Sequence, residues 1–187
     1  MSILRAVNDY ALEQLRVSAV KPRVTLWVDA FLSVDHHINE DDLLRNEIDG
    51  PFVQTLIMNL EGLLQSFKGS LTASNYDALI GLLTAEVTAR LEKVVLKSTF
   101  NRAGDLILDK EVRSLASYLA AVTLWSVRDK FARLTQIATI LCVEKVEELV
   151  NYCGADAIAW RLRPAEVRRI ASTRIDFRPE DIKRLTP

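Results

Sequence analysis

An all-α fold follows from three features of this 187-residue sequence. Apolar residues recur every three or four positions over long stretches. Hydrophobic residues make up 49% of the chain, while only 6 Gly and 5 Pro occur, so there is material for a core and little that belongs to disorder. No segment alternates with period two for long enough to form a strand.

The elements follow in order. Residues 3–20 read as a helix, with Leu4, Val7, Ala11, Leu15 and Ala19 at helical spacing. The chain opens inside this pattern without a capping residue, which predicts that it is part of a longer protein. Pro22 interrupts the pattern, and residues 24–32 predict a short helix carrying Trp27 and Phe31. Residues 33–50 are the most acidic stretch, with six carboxylates from Asp35 to Asp49, and predict a loop or a poorly held helix. Gly50-Pro51 starts the next helix, with proline suited to the first helical position. Its core face is Phe52, Leu56, Met58, Leu60, Leu63, Leu64 and Phe67, and Gly69 ends it.

Thr72 is an N-cap for a long helix whose stripe is Tyr76, Leu79, Ile80, Leu83, Val87, Leu91 and Val94. Residues 101–108, with Gly104, predict a turn. Asp109 then caps a second long helix with Val112, Leu115, Leu119, Val122 and Trp125 on its stripe. That helix either continues or restarts into Phe131, Leu134, Ile137, Ala138 and Leu141. Neither long helix can bury its stripe alone, so an antiparallel hairpin over residues 72–141 is expected at the stable centre. Three short helices follow, near residues 144–152, 164–172 and 179–185, the last two opened by Pro164 and Pro179. The division this implies is a helical bundle, 1–141, and a small terminal cap, 142–187.

Charge excludes some functions. The net charge is −1, so the whole molecule is no electrostatic nucleic-acid binder. The balance is uneven, and residues from 161 onward hold 8 basic against 4 acidic side chains. This basic end could meet anionic lipid or an acidic partner, although a solvated helix face is the commoner meaning of such a pattern. It resembles a helix-turn-helix in length, but Asp176, Glu180 and Asp181 would repel phosphates. Cys142 and Cys153 are the two cysteines; with no leader and no Asn-x-Ser/Thr sequon they point to a reducing, cytosolic setting. The longest run free of charge, residues 114–127, is too short to span a bilayer.

Catalytic signatures are missing. There is no glycine-rich phosphate loop, and Lys68-Gly69-Ser70 has the wrong order and sits at a helix end. His36 and His37 are adjacent and would point about 100° apart on a helix, a poor arrangement for one metal ion. Cys142, in an apolar stretch, is a small core residue in preference to a nucleophile partnered by either histidine. No cofactor, metal or catalytic residue is assigned, and the expectation is a protein that is not an enzyme.

Four stretches carry a resemblance: LEKVVLKSTFNR (91–102), DKEVRSLASYL (109–119), RDKFARLTQIATIL (128–141) and WRLRPAEVRRIASTRIDFRPEDIKRL (160–185). Together the chain resembles the C-terminal region of subunit 4 of the conserved oligomeric Golgi complex. The match is dense over 91–185 and looser over 20–76, through Lys21-Pro22, Trp27 and Leu60-Glu61. Cys153 stands where an aromatic is expected, which bears on the shape of the loop at 151–160.

The resemblance implies stacked helical bundles of the multisubunit tethering-complex (CATCHR) type. It implies a peripheral place on the cytosolic face of the Golgi and a role in capturing vesicles of retrograde intra-Golgi transport, on which Golgi organisation and glycosylation depend. The implied partners are the other subunits of that complex, together with SNAREs, SNARE regulators, small GTPases and coiled-coil tethers. It further implies that Arg133, in KFARL, is held by Glu166, in PAEV, clamping the cap to the hairpin as a structural salt bridge. Lys130, Arg168 and Arg169 are candidates for a partner surface around that clamp. The competing reading is a peripheral membrane-contact module using the basic C-terminal helices.

Overall fold

A computed structural model of the chain describes residues 3–39, 51–153 and 161–184. Every regular element among them is a helix, and the lone β-type pairing is an isolated parallel bridge between Phe100 and Arg174.

Helix α1 (Ile3–Leu15) runs into α2 (Lys21–Asp29) through a π-helical turn at Arg16–Val20, and one 3-10 turn, Ala30–Ser33, follows. Pro22 therefore does not interrupt the helix. The Lys21 N–H reaches back five residues to the Arg16 carbonyl. That widened turn sits just ahead of Pro22, whose ring would collide with the carbonyl four residues back in a regular ladder. The predicted first stripe is not the buried face: Val7 and Ala11 are exposed and Leu15 and Ala19 half-buried, while Leu12 and Val20, outside it, are buried. Most of the predicted acidic loop, residues 40–50, lies outside the described residues.

Helix α3 (Pro51–Lys68) buries Phe52, Val53, Leu56, Leu60, Leu63 and Leu64. Met58 was expected on that face but is exposed. It stands about 200° around the helix from Leu56, on the far side of the stripe. Thr72 caps α4 (Ala73–Val95) as the sequence predicts, its hydroxyl accepting from the Asn75 N–H at 3.3 Å. The α4 stripe from Leu79 to Val94 is buried as expected.

The next helix begins earlier than predicted. Helix α5 (Arg102–Val122) is capped by Asn101, whose side-chain oxygen accepts from the Gly104 N–H at 2.9 Å. Gly104 is thus a helical residue. A Cβ there would lie 1.9 Å from the His36 carbonyl oxygen, so the glycine serves close approach of the 34–39 segment. Asn101 holds that segment from its other side, accepting from the Ile38 N–H at 3.1 Å and donating to the Ile38 carbonyl at 2.7 Å.

Helix α5 ends at Val122, and the chain restarts in α6 (Arg128–Leu141). Trp125, placed on the stripe by spacing, falls in the intervening loop and is exposed. The two long helices touch over only a short stretch. Helix α4 lies mainly against α2 and α6, and α6 packs on both α4 and α5. The bundle is completed by this third helix, where a two-helix hairpin was expected.

The C-terminal part begins with a 3-10 turn, Val146–Leu149, leading into α7 (Val150–Cys153). Helices α8 (Pro164–Ala171) and α9 (Pro179–Lys183) follow. Helix α8 lies on α6, with α7 and α9 against it. Leu149, Val167 and Ile170 join the same hydrophobic cluster as the bundle's Leu134 and Ile137. Each such side chain contributes roughly 1.5–3 kcal/mol before entropy is charged against it.

Candidate functional site

Two arginine-centred knots fasten the C-terminal helices to the bundle. The outer one joins the two residues singled out from sequence. Arg133 projects from α6, and its Nη2 donates to Glu166 Oε1 at 2.9 Å. Its Nε donates to Glu92 Oε2 at 3.2 Å on α4, and its Nη1 to the Arg161 carbonyl at 3.1 Å. One guanidinium therefore bridges α4, α6 and the start of α8.

Glu166 sits in the first turn of α8, where the helix dipole favours a carboxylate. Its Oε2 accepts from the Arg163 backbone N–H at 2.9 Å, closing the helix start. That backbone hydrogen bond and the Arg133 and Arg163 guanidiniums hold the carboxyl down at about 2. The side chains are 36% and 28% exposed, so water screens the pair.

The inner knot went unread in the sequence. Arg174 lies in the turn after α8, and Asp105 in the first turn of α5. Their side chains are 1% and 0% exposed. Arg174 Nη1 donates to Asp105 Oδ2, to the Leu141 carbonyl and, at 3.3 Å, to the Val143 carbonyl. Its Nε and Nη2 donate to Asp176 at 2.8 and 2.6 Å, and its guanidinium lies 4.3 Å from the centre of the Phe177 ring. Arg102 Nη1 adds donors to the Cys142 carbonyl at 2.8 Å and the Val143 carbonyl at 3.2 Å. Two arginines thus satisfy the orphan carbonyls at the C-terminus of α6, where a cation also suits the helix dipole. The backbone locks the same place: the Phe100 N–H donates to the Thr173 carbonyl at 2.9 Å, and the Ile175 N–H to the Phe100 carbonyl at 3.0 Å.

Burial pushes Asp105 up to about 7, against the pull of Arg174 and Arg102, and Asp105 Oδ1 has no hydrogen-bond partner. Burial likewise pushes the Cys142 thiol up to about 12, which makes it unreactive. The Cys142 thiol faces the Asp105 carbonyl at 3.6 Å. The His36 ring stacks on Phe31, 4.2 Å between centroids, with Nε2 3.2 Å from the Phe31 carbonyl. His37 Nε2 meets the Thr99 hydroxyl at 2.9 Å. These groups have separate partners and share no site. Among the described residues no group of three His, Cys, Asp or Glu side chains is placed to hold a metal ion.

The three partner-surface candidates do not form one patch. Lys130 lays its stem along α4, its Cε 3.8 Å from where a Cβ on Gly81 would be, in a groove it shares with Ala78, Ala85 and Trp125. Arg168, half-buried, and Arg169, exposed, project from α8 and line no part of that groove. Four of the eight basic residues of this end are paired with carboxylates: Arg161 with Asp129 at 2.9 Å, Arg163 with Glu166 at 3.2 Å, Arg174 with Asp105 and Asp176, and Arg184 with Asp181 at 3.6 Å.

Comparison with known proteins adds a second kind of observation. The family model described as "Conserved oligomeric Golgi complex subunit 4, C-terminal" matches residues 1–169. The mouse protein named conserved oligomeric Golgi complex subunit 4 is 55% identical over 183 residues, covering 97% of this chain and 23% of its own length. The fruit-fly protein of the same name is 48% identical over 186 residues, 97% of this chain and 24% of its own. That of Arabidopsis is 37% identical, covering 98% and 25%. The chain spans about a quarter of the length of the curated relatives it matches.

Proposed function

The chain belongs to the conserved oligomeric Golgi complex subunit 4, C-terminal family, and from this premise we propose that it is the C-terminal interaction module of a Golgi vesicle-tethering subunit. It acts by binding proteins and catalyses no reaction. Its place is peripheral, on the cytosolic face of the Golgi, where it serves retrograde intra-Golgi transport, Golgi organisation and, through enzyme retention, glycosylation. Its partners are the other subunits of the complex, with SNAREs, SNARE regulators, small GTPases and coiled-coil tethers as second-tier contacts. Residues 1–141 supply the bundle, with Lys130 on α6, and residues 142–187 a cap that presents Arg168 and Arg169.

One observation carries this reading beyond the family: Arg133 bridges Glu92, Glu166 and the Arg161 carbonyl, tying the start of α8 to the bundle. No helix among the described residues is long and apolar enough to cross a membrane. The competing reading, lipid contact through the basic C-terminal helices, draws less support because Arg161, Arg163, Arg174 and Arg184 are each paired with a carboxylate of this chain.

The test is complementation. Cells lacking their own subunit receive a full-length subunit ending in this chain, as wild type and as Arg133→Ala. Wild type restores Golgi-enzyme retention and surface glycans, and Arg133→Ala restores them less. Failure of the wild type to restore either one defeats the reading.

A further inference from the structure

The loop between α5 and α6 is tightly built, yet it presents its two largest apolar side chains to water. Asp77 on α4 is buried and accepts from the Thr123 hydroxyl at 2.9 Å and the Leu124 N–H at 3.1 Å. The Thr123 hydroxyl accepts in turn from the Trp125 N–H at 3.2 Å, and Val127 is buried in the core. The backbone is therefore fixed from both sides. Even so, Leu124 is 92% and Trp125 72% exposed, side by side at one end of the bundle. The Asp77 bonds fix the loop just past the end of α5 and leave both apolar side chains facing water, a contiguous exposed apolar pair of the kind that marks a contact site.

The charges around this tip are mixed, with an excess of cations. Arg128 and Lys130 lie just beyond it, both exposed, and form no ion pair among the described residues. Asp129 is neutralised by Arg161, and Asp77 is buried and bonded. An apolar tip with a tryptophan in a cationic setting complements an anionic lipid interface. There the indole sits at headgroup depth, leucine enters the acyl boundary, and Lys and Arg meet the phosphates. Apolar grooves open on both sides of the tip, one lined by Ala78, Gly81 and Ala85 and the other by Ala116, Ala120 and Ala132. A single partner helix laid in either groove would leave part of the tip uncovered; a membrane plane takes both side chains at once.

We propose that Leu124 and Trp125, with Arg128 and Lys130, form a membrane-touching tip that dips into anionic bilayers. This adds a direct lipid contact to the tether reading and does not depend on it. One small tip gives weak, reversible contact, useful where several contacts act together.

Vesicle sedimentation of the 187-residue chain tests it, with vesicles of phosphatidylcholine alone and with one third phosphatidylserine. Binding is expected to the anionic vesicles only and to weaken as salt is raised. Brominated lipids should quench wild-type emission more than that of Trp125→Phe. Leu124→Asp should reduce binding roughly tenfold, and the Arg128→Glu, Lys130→Glu double variant by a similar factor, with unchanged thermal midpoints. The Arg168→Glu, Arg169→Glu double variant should bind as wild type. Absence of vesicle binding overturns the proposal, as does wild-type binding by Leu124→Asp. If Leu124→Asp loses another subunit of the complex while neither protein binds vesicles, the tip is a protein contact and the proposal fails. Complementation by the wild-type chain is read separately, so either proposal can fall alone.

Discussion

The outer and inner knots perform one task, joining the terminal helices to the bundle, in different dielectric settings. Arg133 and Glu166 are about one-third exposed, and Arg133 divides its donors among Glu166, Glu92 and a carbonyl. Arg174 and Asp105 are excluded from water, and every donor of Arg174 described here meets a carboxylate or a helix-terminal carbonyl. Removing one member of the outer knot leaves groups that water can reach. Removing one member of the inner knot leaves buried polar groups without partners where water does not reach. The pair visible through family resemblance is thus the weaker of the two for stability.

The largest expected effect follows from that difference. Arg174→Ala should destabilise the chain by about 3–5 kcal/mol, because Asp105 and the α6 carbonyls lose their cation together. Denaturant unfolding reads this directly. A loss under about 1 kcal/mol would erase the distinction between the knots. Arg133→Ala should destabilise by about 1–3 kcal/mol, between the exposed and buried limits for ion pairs. A double-mutant cycle with Glu166→Gln should return only part of that loss, since Glu92 and the Arg161 carbonyl also lose their donor.

Acidity separates the knots by sign. Glu166 is held down at about 2 from an ordinary 4.5. Its contribution is complete above about pH 4.5 and is lost as pH falls through 2. Asp105 is pushed up to about 7 from 3.8, so its contribution is complete below about pH 4 and is lost as pH rises through 7. Glu166→Gln should flatten the acid limb of the stability curve and Asp105→Asn the limb near neutrality, each by roughly 1–2 kcal/mol. Swapped limbs in the two titrations would contradict the assignment. The smallest effect belongs to a site away from both knots: Thr72→Ala removes one helix cap and should destabilise by roughly 0.5–2 kcal/mol.

Particular residues show why some of this was legible in the sequence. The stripes of α4 and α6 repeat every three to four residues over several turns, and burial follows that period closely from Leu79 to Val94. Spacing carries no information about where a helix frame stops. Trp125 fits the α5 period, but the helix ends at Val122 and the side chain turns outward. Asn101 and Gly104 resemble turn residues because cap chemistry and turn chemistry use the same side chains; only the nearby His36 carbonyl reveals that this glycine is helical. Pro22 reads as a break because a π turn leaves no mark on composition.

The sites divide in the same way. Arg133 and Glu166 are 33 residues apart, and no local pattern links them; motif resemblance did so. Arg174 and Asp105 are 69 apart and lie in a turn and a first helical turn, where charged residues are ordinary. The one hint was the Arg-Ile-Asp at 174–176, a cation that already holds its own carboxylate. Trp125 is hidden by the reverse error, since an apolar residue in phase with an apolar stripe reads as core.

Hydrogen exchange over residues 161–184 in wild type, Arg174→Ala and Arg133→Ala tests the central claim most directly. Loss of Arg174 should accelerate exchange across α8, the 172–177 turn and α9 together, while loss of Arg133 should accelerate it only around residues 161–167. Equal and local effects from the two variants, or a wider effect from Arg133→Ala, would contradict the account that the buried knot anchors the cap and the exposed one trims it.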